Sequence, residues 1–140
     1  MSLYIHFLVC LSALTWAEIN LKPYDVTAGV MFKAVDVNQD GLVSRNELDL
    51  AFKVYDSNGD GRVSRLEYLR YLLQMVPDPT LNRLFQATYD IIDVDSDSIL
   101  DKHDFDNFFS LIDSNSDNQI DLAEYVRYWS VLMPGLETRL

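Results

Sequence analysis

Residues 36–67 read D-V-N-Q-D-G-L-V-S-R-N-E, then L-D-L-A-F-K-V-Y, then D-S-N-G-D-G-R-V-S-R-L-E. Two oxygen-rich segments of twelve residues flank eight residues that suit a helix. Each segment places side-chain oxygen at positions 1, 3, 5 and 9, glycine at position 6 and glutamate at position 12. Glycine at position 6 marks a sharp turn, because it adopts left-handed backbone without a Cβ penalty. Oxygen on alternate residues, closed by a glutamate further on, is a donor set for a hard cation held inside a loop.

Outside these segments the apolar residues keep helical spacing. Ala28, Met31, Phe32 and Val35 fall at i, i+3, i+4 and i+7 ahead of the first segment, and Leu48, Ala51, Phe52 and Tyr55 repeat that spacing between the two. Tyr68, Tyr71, Leu72 and Met75 follow, up to a breaker at Pro77, Asp78 and Pro79. The order then restarts. Phe85, Tyr89 and Ile92 lead into 93–104, and Phe105, Phe108, Phe109 and Ile112 lead into 113–124. Tyr125, Tyr128, Trp129 and Leu132 come last, and Pro134 with Gly135 is expected to end that helix. Segments starting at 93 and 113 are displaced equally from those starting at 36 and 56, which defines an internal repeat. Glu67, Tyr68, Arg70, Tyr71 and Pro77 recur at the same displacement as Glu124, Tyr125, Arg127, Tyr128 and Pro134. The chain is therefore read as all-α, a duplicated helix-loop-helix-loop-helix unit in one compact domain, with units at 18–79 and 80–140. The apolar stripes are core that holds the loops in place.

Calcium takes about six to eight oxygen ligands in a flexible shell. In the first loop Asp36, Asn38 and Asp40 offer side-chain oxygens, Leu42 its carbonyl and Glu47 both carboxylate oxygens, with Ser44 acting directly or through water. The second loop repeats this with Asp56, Asn58, Asp60, the Arg62 carbonyl, Ser64 and Glu67. Val43 and Val63, at position 8, are free to pack against another loop. The conjunction resembles the EF-hand family, to which calmodulin and parvalbumin belong, over nearly all of the chain after residue 25. The resemblance implies Ca2+ as the bound ion. The fourth loop keeps Asp113, Asn115, Asp117, the Gln119 carbonyl, Asp121 and Glu124, with Asn118 in place of glycine, a residue that tolerates left-handed backbone. The third loop has Asp93, Asp95, Asp97, the Ile99 carbonyl and Asp101, but Ser98 at position 6 and the shorter Asp104 at position 12. Serine there costs on the order of 1 kcal/mol. This loop is the weakest, open among calcium, magnesium and no ion.

The first two loops start at 36 and 56, so close together that a single helix must leave one and enter the next. Such a helix is about 18 Å long, whereas paired strands lie about 4.8 Å apart. Loops one and two cannot pair. Loops two and three start at 56 and 93, far enough apart for each to have helices of its own. The expectation is that loop two pairs with loop three through Val63 and Leu100, and loop one with loop four through Val43 and Ile120.

The full chain has 140 residues, 49% of them hydrophobic, and a net charge of −11. That charge argues against nucleic acid, which needs clustered Lys and Arg, and most aspartates after residue 35 fall inside the loops. No enzyme is expected: the histidines, His6 and His103, are too few for a zinc centre or a relay, and the aspartates are better read as ligands than as an acid/base pair. Residues 1–17 carry no Asp, Glu, Lys or Arg and end on Thr15, Trp16 and Ala17. They read as a secretory signal peptide, too short to span a membrane. It would take the lone Cys10 with it, leaving a mature chain without a disulfide, for which bound metal is an alternative staple. The chain is thus expected to be a secreted, extracellular calcium binder or store, or a structural matrix component. Its resemblance to acidic secreted members of the family suggests a mineral or matrix partner and a role in biomineralisation. The alternative is an intracellular sensor that binds partner helices as calmodulin does. That role calls for a methionine-rich groove, and beyond Met1 only Met31, Met75 and Met133 are available.

Overall fold

The computed structural model describes residues 21–75 and 79–138, with the backbone alone for Ala34, Met75 and residues 79–85. The expected leader at 1–17 and the side chains of Met75 and Phe85 lie outside the described residues. Helix α1 is Tyr24–Val35, then strand β1 Leu42–Val43, α2 Arg45–Tyr55, β2 Arg62–Ser64 and α3 Arg65–Met75. The second half supplies α4 Pro79–Ile92, β3 Ile99–Asp101, α5 Lys102–Ile112, β4 Ile120–Asp121 and α6 Leu122–Glu137. Helix α1 starts ahead of the apolar stripe that begins at Ala28, directly after Pro23, whose carbonyl accepts from Thr27 N at 3.1 Å. Pro79 of the breaker opens α4, a position where the missing N–H is no loss.

The strands pair across the two halves. β2 is antiparallel to β3 with Val63 opposite Leu100, and β1 is antiparallel to β4 with Val43 opposite Ile120. All four position-8 side chains are buried. Among the described residues no bridge joins loop one to loop two, as the length of α2 requires.

The constant displacement between repeats corresponds to an approximate two-fold axis relating the halves, and the contacts come in matched pairs. The Phe32–Tyr125 ring contact, 5.5 Å between centroids, has its counterpart in Tyr89–Tyr68 at 5.2 Å. Arg45 bridges Asp106 at 3.2 Å, and Lys102 bridges Asp49 at 3.3 Å, the same pair of positions with the halves exchanged. These ion pairs are exposed enough to be worth well under about 1 kcal/mol each. Their information is geometric: α2 lies against α5, with Phe52 edge-on to Phe105 at 5.1 Å. Between the helices an apolar cavity of about 120 Å³ is bordered by Met31, Val43, Leu48, Tyr68, Trp129 and Met133.

The last helix passes the end expected for it. Helix α6 does not end at Pro134 but runs on to Glu137. Proline removes the N–H that would bond the Ser130 carbonyl, yet the extra turn has partners of its own. Met133 and Leu136 are buried, and the Glu137 carboxylate accepts from Leu21 N at 2.9 Å and the Tyr24 hydroxyl at 2.7 Å. Burial and this clasp onto the start of α1 outweigh the lost hydrogen bond.

The two strand bridges also differ. The buried Tyr89 hydroxyl donates toward the Val63 carbonyl at 2.9 Å and the Ser98 carbonyl at 3.0 Å, tying β2 to loop three. Burial pushes its pKa up to about 12, so it stays a donor throughout the neutral range. The equivalent residue in the first unit is Phe32, which has no hydroxyl. Tyr89→Phe is expected to cost about 1 kcal/mol, seen as a fall of about 4 °C in the thermal midpoint. An unchanged midpoint would show that the hydroxyl bridge adds nothing.

Candidate metal centres in the four loops

Each loop is a short backbone scaffold on which oxygens are hung by hydrogen bonds. Position 1 is the residue that closes the incoming helix. Asp36, Asp56, Asp93 and Asp113 donate their N–H to the carbonyl four residues back at 2.9–3.1 Å. Their carboxylates then accept from loop N–H groups. Asp36 takes Asp40 N at 3.2 Å and Gly41 N at 2.9 Å, and Asp93 takes Asp97 N at 3.1 Å and Ser98 N at 3.0 Å. Asp56 and Asp113 do the same in their loops. Position 3 accepts from position 5, and position 5 from position 7: Asn38 from Asp40 N, Asp40 from Leu42 N, Asn58 from Asp60 N, Asp60 from Arg62 N. Asp95, Asp97, Asn115 and Asp117 repeat the arrangement, with Ile99 N and Gln119 N as the last donors.

This wrapping demands left-handed backbone at two positions, not one. Position 6 has φ between +65° and +85° in Gly41, Gly61, Ser98 and Asn118. Position 4 has φ between +60° and +71° in Gln39, Gly59, Ser96 and Ser116. The requirement at position 4 went unread in the sequence, where only Gly59 hints at it. A Cβ built on Gly41, Gly59 or Gly61 meets nothing within 4 Å. Glycine is favoured there by backbone conformation, and not for lack of room.

Positions 9 and 12 have a second task. Ser44 is the N-cap of α2 and Glu47 its third helical residue, joined as a capping box: Ser44 N donates to Glu47 at 2.8 Å and Glu47 N to the Ser44 hydroxyl at 3.4 Å. Asp101 with Asp104, and Asp121 with Glu124, form the same box, and Ser64 and Glu67 make the equivalent bonds. The Ser/Asp-x-x-Glu/Asp signature of a capping box was legible in all four loops. Position 12 also reaches back across the loop. Glu47 accepts from Val37 N at 2.9 Å, and Asp104 from Val94 N at 3.0 Å.

That last contact settles the geometry of loop three. Asp104, though a methylene shorter, takes two of Glu47's three backbone donors, those from positions 2 and 9; Glu47 also accepts from Asn38 N at 3.3 Å. Asp93, Asp95, Asp97 and Asp104 each bring a carboxylate oxygen within 4.8 Å of the others. Burial pushes the Asp104 carboxyl above its ordinary range, with neighbouring Asp95 adding to the effect. Donors from Ser64 hold Glu67 below the usual range. Loop two is the more open of the four: Asp56 and Glu67 are half-buried, whereas positions 1 and 12 of the other loops are buried.

The buried acids test whether a cation fits. Asp36, Glu47, Asp93, Asp104, Asp113 and Glu124 are all less than a tenth exposed. They are the only buried acids among the described residues, and none forms an ion pair there. The position-1 aspartates also sit at helix C-termini, where the helix dipole disfavours negative charge. Burying unpaired carboxylates is costly, and a divalent cation at the centre of each loop would offset both terms. The residues fit the ion.

Position 6 carries a direct prediction. Ser98→Gly and Asn118→Gly relieve left-handed strain and lose some of the gain to glycine's freedom when unfolded. Each is expected to tighten calcium binding and raise stability by about 0.5–1 kcal/mol, serine more than asparagine. Calorimetric titration and chemical denaturation of each variant check this. A weakened site in Ser98→Gly would mean that the serine side chain contributes to the loop.

Comparison with known proteins agrees with this geometry. A family model of an EF-hand domain pair matches residues 48–130, which hold loops two, three and four. A second model, of a single EF hand, matches residues 30–50, which hold the first loop. No curated protein and no solved structure matches the chain. With a pair model over more than half its length and all four loops accounted for, the chain belongs to the EF-hand family, whose domains bind Ca2+.

Proposed function

We propose that this protein is a secreted calcium binder in which Ca2+ is part of the folded structure, serving as an extracellular store or matrix component. The observation that carries the reading is the set of six buried carboxylates with no cationic partner among the described residues. A fold that buries negative charge in this way is poorly balanced without its ions. The proposed ligands are Asp36, Asn38, Asp40, Leu42 and Glu47; Asp56, Asn58, Asp60, Arg62 and Glu67; Asp113, Asn115, Asp117, Gln119 and Glu124. Leu42, Arg62 and Gln119 act through their carbonyls. The converging carboxylates add the third loop to this proposal through Asp93, Asp95, Asp97, the Ile99 carbonyl and Asp104. The apolar leader supports export, and the units proposed are 18–79 and 80–140. A mineral or matrix component is the partner proposed for the protein. Family membership points to ion binding, not catalysis.

Extracellular calcium is about millimolar, and extracellular modules have dissociation constants of about 10⁻⁴–10⁻³ M. At ten times its dissociation constant each ion adds about 1.4 kcal/mol to stability. A second reading, an intracellular sensor, draws support from the apolar cavity of about 120 Å³ with Met31 and Met133 on its border. Calcium-driven opening of that cavity would offer a seat for a partner helix.

Two measurements divide these readings. The native protein should begin at Glu18; a start at Met1 or Ser2 defeats export. Chelation should lower the thermal midpoint by several degrees, and calcium should restore it with dissociation constants above about 10⁻⁵ M. Sub-micromolar sites would favour the sensor.

A further inference from the structure

Each of the short helices α2 and α5 holds a proposed ligand at both ends. Helix α2 begins with Glu47 in its first turn, position 12 of loop one. It ends on Asp56, its C-cap and position 1 of loop two, whose N–H donates to Phe52 O at 3.1 Å. Helix α5 likewise carries Asp104 of loop three in its first turn and ends on Asp113 of loop four, bonded to Phe109 O at 2.9 Å. These are 11-residue helices capped by hydrogen bonds at both ends. A helix of this length moves as a rod. A shift of Glu47 toward an ion in loop one therefore displaces Asp56 in loop two.

The strand bridges make the other two links. Loop two is joined to loop three by β2–β3 and by Tyr89, and loop four to loop one by β4–β1. The path is closed: loop one, α2, loop two, the β2–β3 bridge, loop three, α5, loop four, the β4–β1 bridge, and loop one again. Strand bridges alone would couple the loops as two separate pairs. Here α2 and α5 join the pairs, and they also grip each other through Phe52–Phe105 and the reciprocal Arg45–Asp106 and Lys102–Asp49 ion pairs.

We propose that the four loops form one closed ring of coupled calcium sites, with α2 and α5 transmitting binding between the two strand-paired halves of the ring. The proposal rests on the calcium reading given above. Its distinctive consequence is coupling between loops that share a helix and no strand. Coupling free energies of ordinary size correspond to about 5–150-fold changes in affinity, and they are reciprocal.

The test reads each loop separately. The position-6 amides of Gly41, Gly61, Ser98 and Asn118 donate to the position-1 carboxylate of their own loop at 2.9–3.0 Å. Their resonances in ¹⁵N-labelled protein therefore report ion binding loop by loop. In Glu47→Gln, the calcium midpoint of Gly61 is expected to rise by about fivefold or more, together with that of Asn118. Glu67→Gln should raise the Gly41 midpoint comparably. Softening α2 at two exposed positions, with Leu50→Gly and Lys53→Gly, should shrink the response of Gly61 while leaving that of Asn118. A Gly61 midpoint unchanged by Glu47→Gln while Asn118 moves overturns the ring and leaves two independent pairs. If the wild-type amides do not respond to calcium at all, the calcium reading fails and the ring fails with it.

Discussion

The structure depends on the length of α2. An 11-residue helix spans about 16 Å and must be both the way out of loop one and the way into loop two. Loops held at its two ends cannot approach within strand-pairing distance, so neither can complete its backbone hydrogen bonding inside its own unit. The same holds for α5. Each unit is left with two unpaired loop edges, and the two-fold arrangement satisfies all four at once. The duplication is for that reason more than a copy: each half provides the partner strands of the other. The matched contacts, Arg45 to Asp106 and Lys102 to Asp49, show the units meeting as two identical subunits would.

Electrostatics gives the core its second constraint. Most small domains bury apolar surface and leave acids outside. This one buries Asp36, Glu47, Asp93, Asp104, Asp113 and Glu124 beside Val43, Val63, Leu100 and Ile120. The strand residues must be buried to join the loops, and joining them draws the loop carboxylates inward. Backbone N–H groups satisfy part of the demand: at Glu124 burial pushes the carboxyl up, yet donors from Asp121 and Asn115 hold it below the usual range. At Asp104 burial prevails and the carboxyl is raised. Packing and ion binding are therefore two sides of one arrangement.

Much of this was legible in the chain. Loop boundaries, the internal repeat and the choice of loop partners follow from spacing alone. The run from Leu48 to Tyr55 is too short to fold loops one and two back on each other, whereas the run from Tyr68 to Ile92 is long enough for loops two and three to meet. Three features were not legible for physical reasons. Left-handed backbone at Gln39, Ser96 and Ser116 leaves no compositional trace, since the hydrogen-bonded turn holds residues that are not glycine. The reach of Asp104 depends on how closely the loop closes on α5, a tertiary property. The run of α6 through Pro134 depends on Leu21 and Tyr24, at the far end of the described chain, and overrides a strong local signal. The capping boxes are a different case: their signature was present, overlaid on the ligand pattern.

The partnership of loops also orders their quality. Gly61 of loop two faces the serine-bearing loop three, and Gly41 of loop one faces loop four with Asn118. Each bridge thus joins a loop relaxed at position 6 to one strained there, although loop one also holds Gln39 in left-handed backbone at position 4. A strand already formed on the glycine side presents its N–H and C=O groups to the opposite strand. The strained loop then has less conformational freedom left to lose when it orders. The first unit holds both loops with glycine at position 6, and the second has Ser98 and Asn118 there. Two-fold exchange, not adjacency in sequence, allows one unit to support the other. Had loops one and two paired with each other, both strained turns would have been left together, and loop three would have had neither a relaxed partner strand nor the Tyr89 tie to β2.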